Sequence, residues 1–436
     1  MNLPTNNVQS IPYRVDGSEW GSRLADLEGF ACLESCKRDP QSGRFDIITA
    51  LPTRCLSVMD FGGDGSAWMA SVEDALACAS DQQSRIAIGF LDFETATEAA
   101  LGLSYPALTP AVAAIYSWWV LQDHHSRTAW LVKSPDLPMD IAEVVVERLL
   151  EPSGKSDNNI ILKQNFRPDY SRHFFEENVR KVRSLIAAGD CYQANIAQRF
   201  SARYEGDGFN IYQQLRQVAS GDFSGFLALQ TGHAVASFSP ERFLSTANGE
   251  IFSQPIKGTR ARAADAAEDQ ALAAALLASE KDRAENVMIV DLLRNDLGKI
   301  CRTGSVKVTE LCQLYSYDNV HHLVSRIEGM LADNVTPGMA LIKSSPGGSI
   351  TGAPKKRAVE IIKTLETAPR GVYCGSIFVM DNRGWMESSI AIRTLEFDGN
   401  DIYCWGGGGI TWDSDPAAEF QETLDKIQGF MLALES

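Results

Sequence analysis

At 436 residues, with 44% hydrophobic and 22% charged side chains, the chain has the composition of a globular protein long enough for two or three ordinary domains. Its formal charge of −16 argues against nucleic acid or an anionic membrane surface as the main partner; an anionic small molecule would need positive charge concentrated by a metal or by a few Arg and Lys. No apolar run approaches the roughly 20 residues that span a bilayer, and nothing in residues 1–29 resembles a signal peptide, so the expected compartment is the cytoplasm. The nine cysteines are scattered without a C-x-x-C, which points to reduced thiols and away from a disulfide frame or zinc cage. Cys32 and Cys36 are spaced to share a helix face, as buried structural thiols in preference to metal ligands.

Along the chain, β-rich runs at 45–50 and 113–120 alternate with a few helical patterns. The polar, turn-rich segment 151–159 reads as a linker between an amino-terminal region, 1–150, and a second region, 160–434. A helix is predicted over 169–188, with Phe174, Phe175, Val179, Val182, Leu185 and Ile186 on one stripe and Gly189 as its stop. Lys257 then stands in a glycine-bounded turn, Pro255-Ile256-Lys257-Gly258-Thr259. An amine that must attack carbon has to be neutral, which desolvation or a neighbouring cation can bring about. The alternative from the pentapeptide alone is an ordinary turn lysine.

An Ala-rich segment, 268–279, leads into a second helix over 282–297, which carries Asp282 and Glu285 one turn apart. The glycine-rich loop 345–355 ends at Pro354, which can open a helix over 354–365 whose amino terminus would meet an anion. Arg393 sits in a strand-like run, 390–394, where a buried guanidinium would need a carboxylate. Gly406-Gly407-Gly408-Gly409 lets backbone approach a ligand closely, with a tight turn as the alternative. A last helix opens at Asp415-Pro416, with Phe420, Leu424, Ile427 and Met431 as its buried stripe. Glu419 and Glu422 share one face of it, and Lys426 follows Glu422 by a turn. Acid pairs on two helices are what a magnesium site needs when it leaves positions for substrate and water, a solvated acidic face being the alternative. Strands and helices lack a regular βαβ alternation, so the expected class is α+β, large sheets with helices around and between them.

These stretches resemble the chorismate-utilising enzymes over roughly 166–432. The shared signature is Gly189-Asp190-Cys191-Tyr192-Gln193, Ser239-Pro240-Glu241-Arg242-Phe243, the lysine turn, Lys281-Asp282-Arg283-Ala284-Glu285-Asn286, Arg294-Asn295-Asp296, His322-Leu323-Val324-Ser325, Gly348-Ser349-Ile350-Thr351-Gly352-Ala353-Pro354-Lys355 and Ile392-Arg393-Thr394. The resemblance implies the family's fold, large sheets packed face to face, with 1–150 matching the amino-terminal region of anthranilate synthase component I and 160–434 as the chorismate-binding catalytic domain. Anthranilate synthases carry alanine at the position of Lys257, and isochorismate synthases a water-activating lysine at that of Gln193, so the chain looks like the aminating branch, the aminodeoxychorismate synthases. The branch implies that Lys257 adds to chorismate as nucleophile, Glu241 protonates the leaving C4 hydroxyl and His322 orients it. It also implies Mg²⁺ on Glu285 and Glu422, with Asp282 and Glu419 acting through water. Substrate would be held by Tyr373, Arg393, Gly407, Gly409, Ser349, Thr351, Lys426 and Gln193. Ammonia would come from a glutaminase subunit, because no Gly-x-Cys-x-Gly nucleophile turn is present.

Ser345, Phe378 and Glu387 depart from the family pattern. A fainter match, at Ser35, Ser42, Gly43, Arg44 and Phe45 with Asp222, Phe223 and Ser224, implies a bound amino acid, tryptophan in relatives, although Asp222 replaces the usual proline. The competing expectations are an anthranilate synthase large subunit and a non-catalytic amino-acid-binding regulator on the same fold.

Overall fold

Short runs of apolar, β-branched and aromatic residues pair into two large antiparallel sheets, of twelve and ten strands, in the computed structural model. It describes residues 8–35, 43–77, 83–105, 107–150, 160–219, 221–317 and 320–435. The predicted linker, 151–159, lies outside them, as do Ser42 and Cys36. The α+β class is the one found, with twelve α-helices among the described residues. No helix there is long and apolar enough to cross a membrane.

The sheets pack face to face. Ala31, Ile47, Leu121 and Leu227 of the twelve-stranded sheet meet Ile86, Ile88, Val112 and Ile377 of the other across a buried layer. Each sheet draws strands from both sides of 151–159: Phe30–Glu34 pairs with Phe223–Gln230 in the first, and Ile86–Leu91 with Ser376–Asp381 in the second. The regions 1–150 and 160–434 are therefore woven together rather than stacked side by side.

Helices follow their apolar stripes and caps. Arg172–Ala187 starts at Ser171, whose side chain accepts from the Phe174 amide, and buries Phe175, Val179 and Val182. The Ala-rich segment and its successor form Ala266–Ala278 and Glu280–Gly298, with Ser279 capping the second. Three expectations are corrected. The run 113–120 is two strands, Val112–Tyr116 in one sheet and Trp118–Asp123 in the other; it is buried on every face, so no periodicity marks the crossing. The last helix breaks after Asp425 and restarts as Gln428–Glu435, so the buried stripe passes to Phe430 and Leu434 while Phe420, Leu424 and Met431 are half-buried. Cys32 lies in the strand Phe30–Glu34, not on a helix.

Candidate active site

Strand ends from both sheets and two helices enclose a cavity of about 450 Å³. Lys257 enters it from the strand Ile256–Ala261, and its Nζ donates to the Ser349 carbonyl at 3.3 Å. The next residue must be glycine: Gly258 has φ +85°, and a Cβ there would meet Leu276 and Asp282 at 3.0 Å. Glu241 leaves the end of strand His233–Ser239 and is buried in the cavity wall. Burial pushes its carboxyl above the usual range, opposed by the charge of Lys257 and a hydrogen bond from the Ser349 side chain. A carboxyl raised in this way beside Lys257 is the cavity's candidate proton donor. His322 borders the same cavity, its Nδ1 2.8 Å from the Thr259 hydroxyl.

Glu285, on Glu280–Gly298, and Glu419 and Glu422, on Pro416–Asp425, face the void from two helices. Burial raises the Glu285 carboxyl; Lys257 and Lys281 oppose that, and Asp282 and Glu422 add to it. Burial likewise raises Glu419, whose Oε1 accepts from Ser414 at 2.6 Å. At Glu422 burial is outweighed by Lys426, 2.8 Å away, and the carboxyl is lowered. Asp282 borders the same void and forms an ion pair with Arg260 at 3.0 Å. No three His, Cys, Asp or Glu among the described residues converge into a ready cage. Mg²⁺ does not require one, since it is commonly held by one or two carboxylates plus substrate oxygens and water.

Opposite the acids, Arg393 occupies a bend between two strands at φ +52°, not a strand, and its guanidinium makes no hydrogen bond or ion pair with any described residue. Tyr373 stacks on Trp405 at 5.8 Å and 6° to form an aromatic wall. The glycine run is explained by its neighbours: a Cβ on Gly406 would strike the Thr423 carbonyl at 2.4 Å, one on Gly407 the Ala197 side chain at 2.6 Å, and one on Gly409 the Gln193 amide at 1.9 Å. Lys426 donates to the Gly407 carbonyl at 2.8 Å.

Of the expected site residues, Thr351 alone misses the cavity; it is fully buried, with its hydroxyl on the Gly347 carbonyl. The amino terminus of Lys355–Leu365 does not border the cavity either, and Lys355 pairs with Asp296 at 2.6 Å. Asn195, Trp405, Arg260 and Lys281 border the cavity without having been expected there. Asn195 carried one readable signal, its position two residues after Gln193 and hence on the same strand face.

A second cavity, of about 310 Å³, is bordered by Ser35, Gly43, Arg44, Phe45, Asp222, Phe223 and Ser224. Glu34, Arg242, Trp385 and the two departures Phe378 and Glu387 join them. Glu387 pairs with Arg242 at 2.7 Å, and Phe378 is matched by Gly89 opposite, where a Cβ would come within 2.9 Å of the ring. Ser345, the third departure, is buried outside both cavities. Burial lifts the Glu34 carboxyl to about 7 despite its ion pair with Arg216.

Residues 55–432 match the family described as chorismate binding enzyme. Aminodeoxychorismate synthase component 1 of Escherichia coli (strain K12) is 37% identical over 456 residues, covering 98% of each chain. The protein of the same name from Salmonella typhimurium is 41% identical over 330 residues, 76% of this chain and 71% of that one. Among solved structures, anthranilate synthase component I from Streptococcus pneumoniae superposes with a TM-score of 0.78 at 29% identity, covering 91% of this chain and 93% of its own.

Proposed function

The chain belongs to the chorismate binding enzyme family, and on that premise we propose that it aminates chorismate at C4 to give 4-amino-4-deoxychorismate, the precursor of 4-aminobenzoate and folate. The observation that carries this reading is Lys257 beside a buried acid, Glu241, in a cavity that also holds an unpaired arginine. Lys257 as the neutral amine adds at ring C2, the ring double bonds shift and the C4–O bond breaks. Glu241 gives its proton to the departing oxygen, which leaves as water. Ammonia then adds at C4, the double bonds shift back and the C2–N bond breaks, freeing Lys257. Glu241 recovers its proton from the new ammonium group, so acid and amine both return to their starting forms. His322, tethered to Thr259, orients the leaving hydroxyl.

Arg393 and Tyr373, with backbone amides near Gly407 and Gly409, receive the enolpyruvyl carboxylate. Glu285 and Glu422, helped by Glu419, would hold Mg²⁺, which when bound supplies positive charge to the ring carboxylate. Asp282, on the same helix as Glu285 and paired with Arg260, would act on the ion through water.

The name component 1 borne by the Escherichia coli relative speaks for a second component, and ammonia supply from glutamine is its expected task. Purified chain with chorismate, Mg²⁺ and high ammonium at mildly alkaline pH is expected to form aminodeoxychorismate. Glutamine alone should support none, and glutamine plus an added glutaminase subunit should support it. Anthranilate as the product would establish the rival reading, and glutamine hydrolysis by the chain alone would remove the need for a partner.

The second cavity is assigned to an amino acid, tryptophan being the expected one, because all seven described residues expected to hold it border one void. Denaturing the purified protein should release it for mass spectrometry. Neither a released amino acid nor heat on titration with tryptophan would dispose of this assignment.

A further inference from the structure

The long strand Gln193–Glu205 supports the cavity floor, and one of its edges is interrupted. Gln193 and Ala194 pair with Ala353 and Gly352, and pairing on that edge resumes only at Phe200 with Pro168. Between the Asn195 amide, which donates to the Thr351 carbonyl, and the Arg199 carbonyl, which accepts from the Asp169 amide, side chains take the place of a strand. The Arg370 guanidinium donates to the Asn195 carbonyl at 2.9 Å, and the Ala197 amide donates to Glu366 at 2.9 Å. Arg370 and Glu366 are themselves a two-pronged pair at 2.6 and 2.9 Å, 1% and 8% exposed.

The remaining prong of Arg370 donates to the Ile350 carbonyl at 3.0 Å. Ile350 follows Ser349, whose carbonyl accepts from Lys257 and whose side chain donates to Glu241. The segment after Arg370 is anchored too: Glu94 accepts from the amides of Arg370 and Gly371 at 2.8 and 3.0 Å, and Glu396 from that of Val372 at 3.3 Å, just before Tyr373. Arg370 borders neither cavity and touches no substrate position.

We propose that Arg370, paired with Glu366, is a positioning residue for the amination reaction: it holds the Ser349 turn against the Asn195 strand and so sets the nucleophile and the acid relative to each other. This rests on the reading of the cavity given above. Lysine cannot replace it, because a single ammonium cannot span Glu366 and two carbonyls on separate segments.

Arg370→Lys is expected to lower kcat about 30-fold while the KM for chorismate stays within about 3-fold, since alignment of reacting groups is lost and the carboxylate contacts are not. The pH profile gives a second readout. Losing the Ser349 hydrogen bond raises the Glu241 carboxyl further, so the alkaline limb of kcat, where the acid loses its proton, should move to higher pH. Val182→Ala, a core truncation on Arg172–Ala187, serves as comparator: it should lower Tm without moving that limb.

Glu366→Asp, which draws the guanidinium away from both carbonyls, should give the same pattern at about 3- to 10-fold in kcat and decides the matter if Arg370→Lys does not fold. Folded variants with wild-type kcat, or with a reduced kcat and an unmoved limb, overturn the proposal. So does failure of both variants to fold, which would make the pair a determinant of folding instead. A wild-type chain that forms no aminodeoxychorismate sinks the underlying reading; an active wild type with unaffected variants sinks only the role of Arg370.

Discussion

Lys257→Ala is expected to lower aminodeoxychorismate formation by at least about 10³-fold while fold and chorismate affinity persist. The lysine is half-buried, and among the described residues its amine makes a single hydrogen bond, to the Ser349 carbonyl. The strand that carries it is held independently, by pairing of Ile256, Thr259, Arg260 and Ala261 with Val320–Met330. Removing the amine therefore removes the nucleophile without disturbing the strand, and lets the Glu241 and Glu285 carboxyls rise further. Wild-type protein incubated with chorismate but no ammonia should carry a covalent adduct on the peptide containing Lys257, and the alanine variant none. An unmodified peptide, together with full activity in the variant, would eliminate the lysine as nucleophile.

Glu285→Gln and Glu422→Gln should each lower Mg²⁺-dependent kcat by about 10²-fold, with a smaller loss for Glu419→Gln. Glutamine keeps the shape of the side chain and deletes its charge. For Glu285→Gln the stability of the chain should be unchanged or slightly raised, because burial and the neighbouring carboxylates disfavour its ionisation, whereas Glu422→Gln gives up the ion pair with Lys426 and should cost a little stability. A loss of activity without a fall in Tm is thus the diagnostic pattern for Glu285→Gln. Wild-type turnover that survived exhaustive chelation would rule out a metal at these carboxylates.

The residues legible in the sequence were those whose chemistry is local. Lys257 just before Gly258 in its turn, the acids one turn apart on two helices and the glycine run each announce themselves in a few consecutive positions. What sequence alone misplaced depends on where a side chain turns. Thr351 sits in the right motif, yet its hydroxyl folds back on Gly347. Glu366 and Arg370, four apart at a helix end, look like an ordinary exposed ion pair; only the interrupted strand edge beside them makes the pair an internal one. The run 113–120 failed for a different reason, because a stretch buried on both faces shows neither a helical nor an alternating pattern.

The weave of the two sheets has a consequence for synthesis on the ribosome. Ile86–Leu91 is buried along its whole length, and one of its two neighbours, Ser376–Asp381, emerges roughly 290 residues later. At about 5–20 residues per second, the strand waits on the order of 15 to 60 s with one edge and an apolar face unpaired. Phe30–Glu34 waits in the same way for Phe223–Gln230. The nascent amino-terminal third is thus a natural client for chaperones, and slowing translation prolongs its exposure.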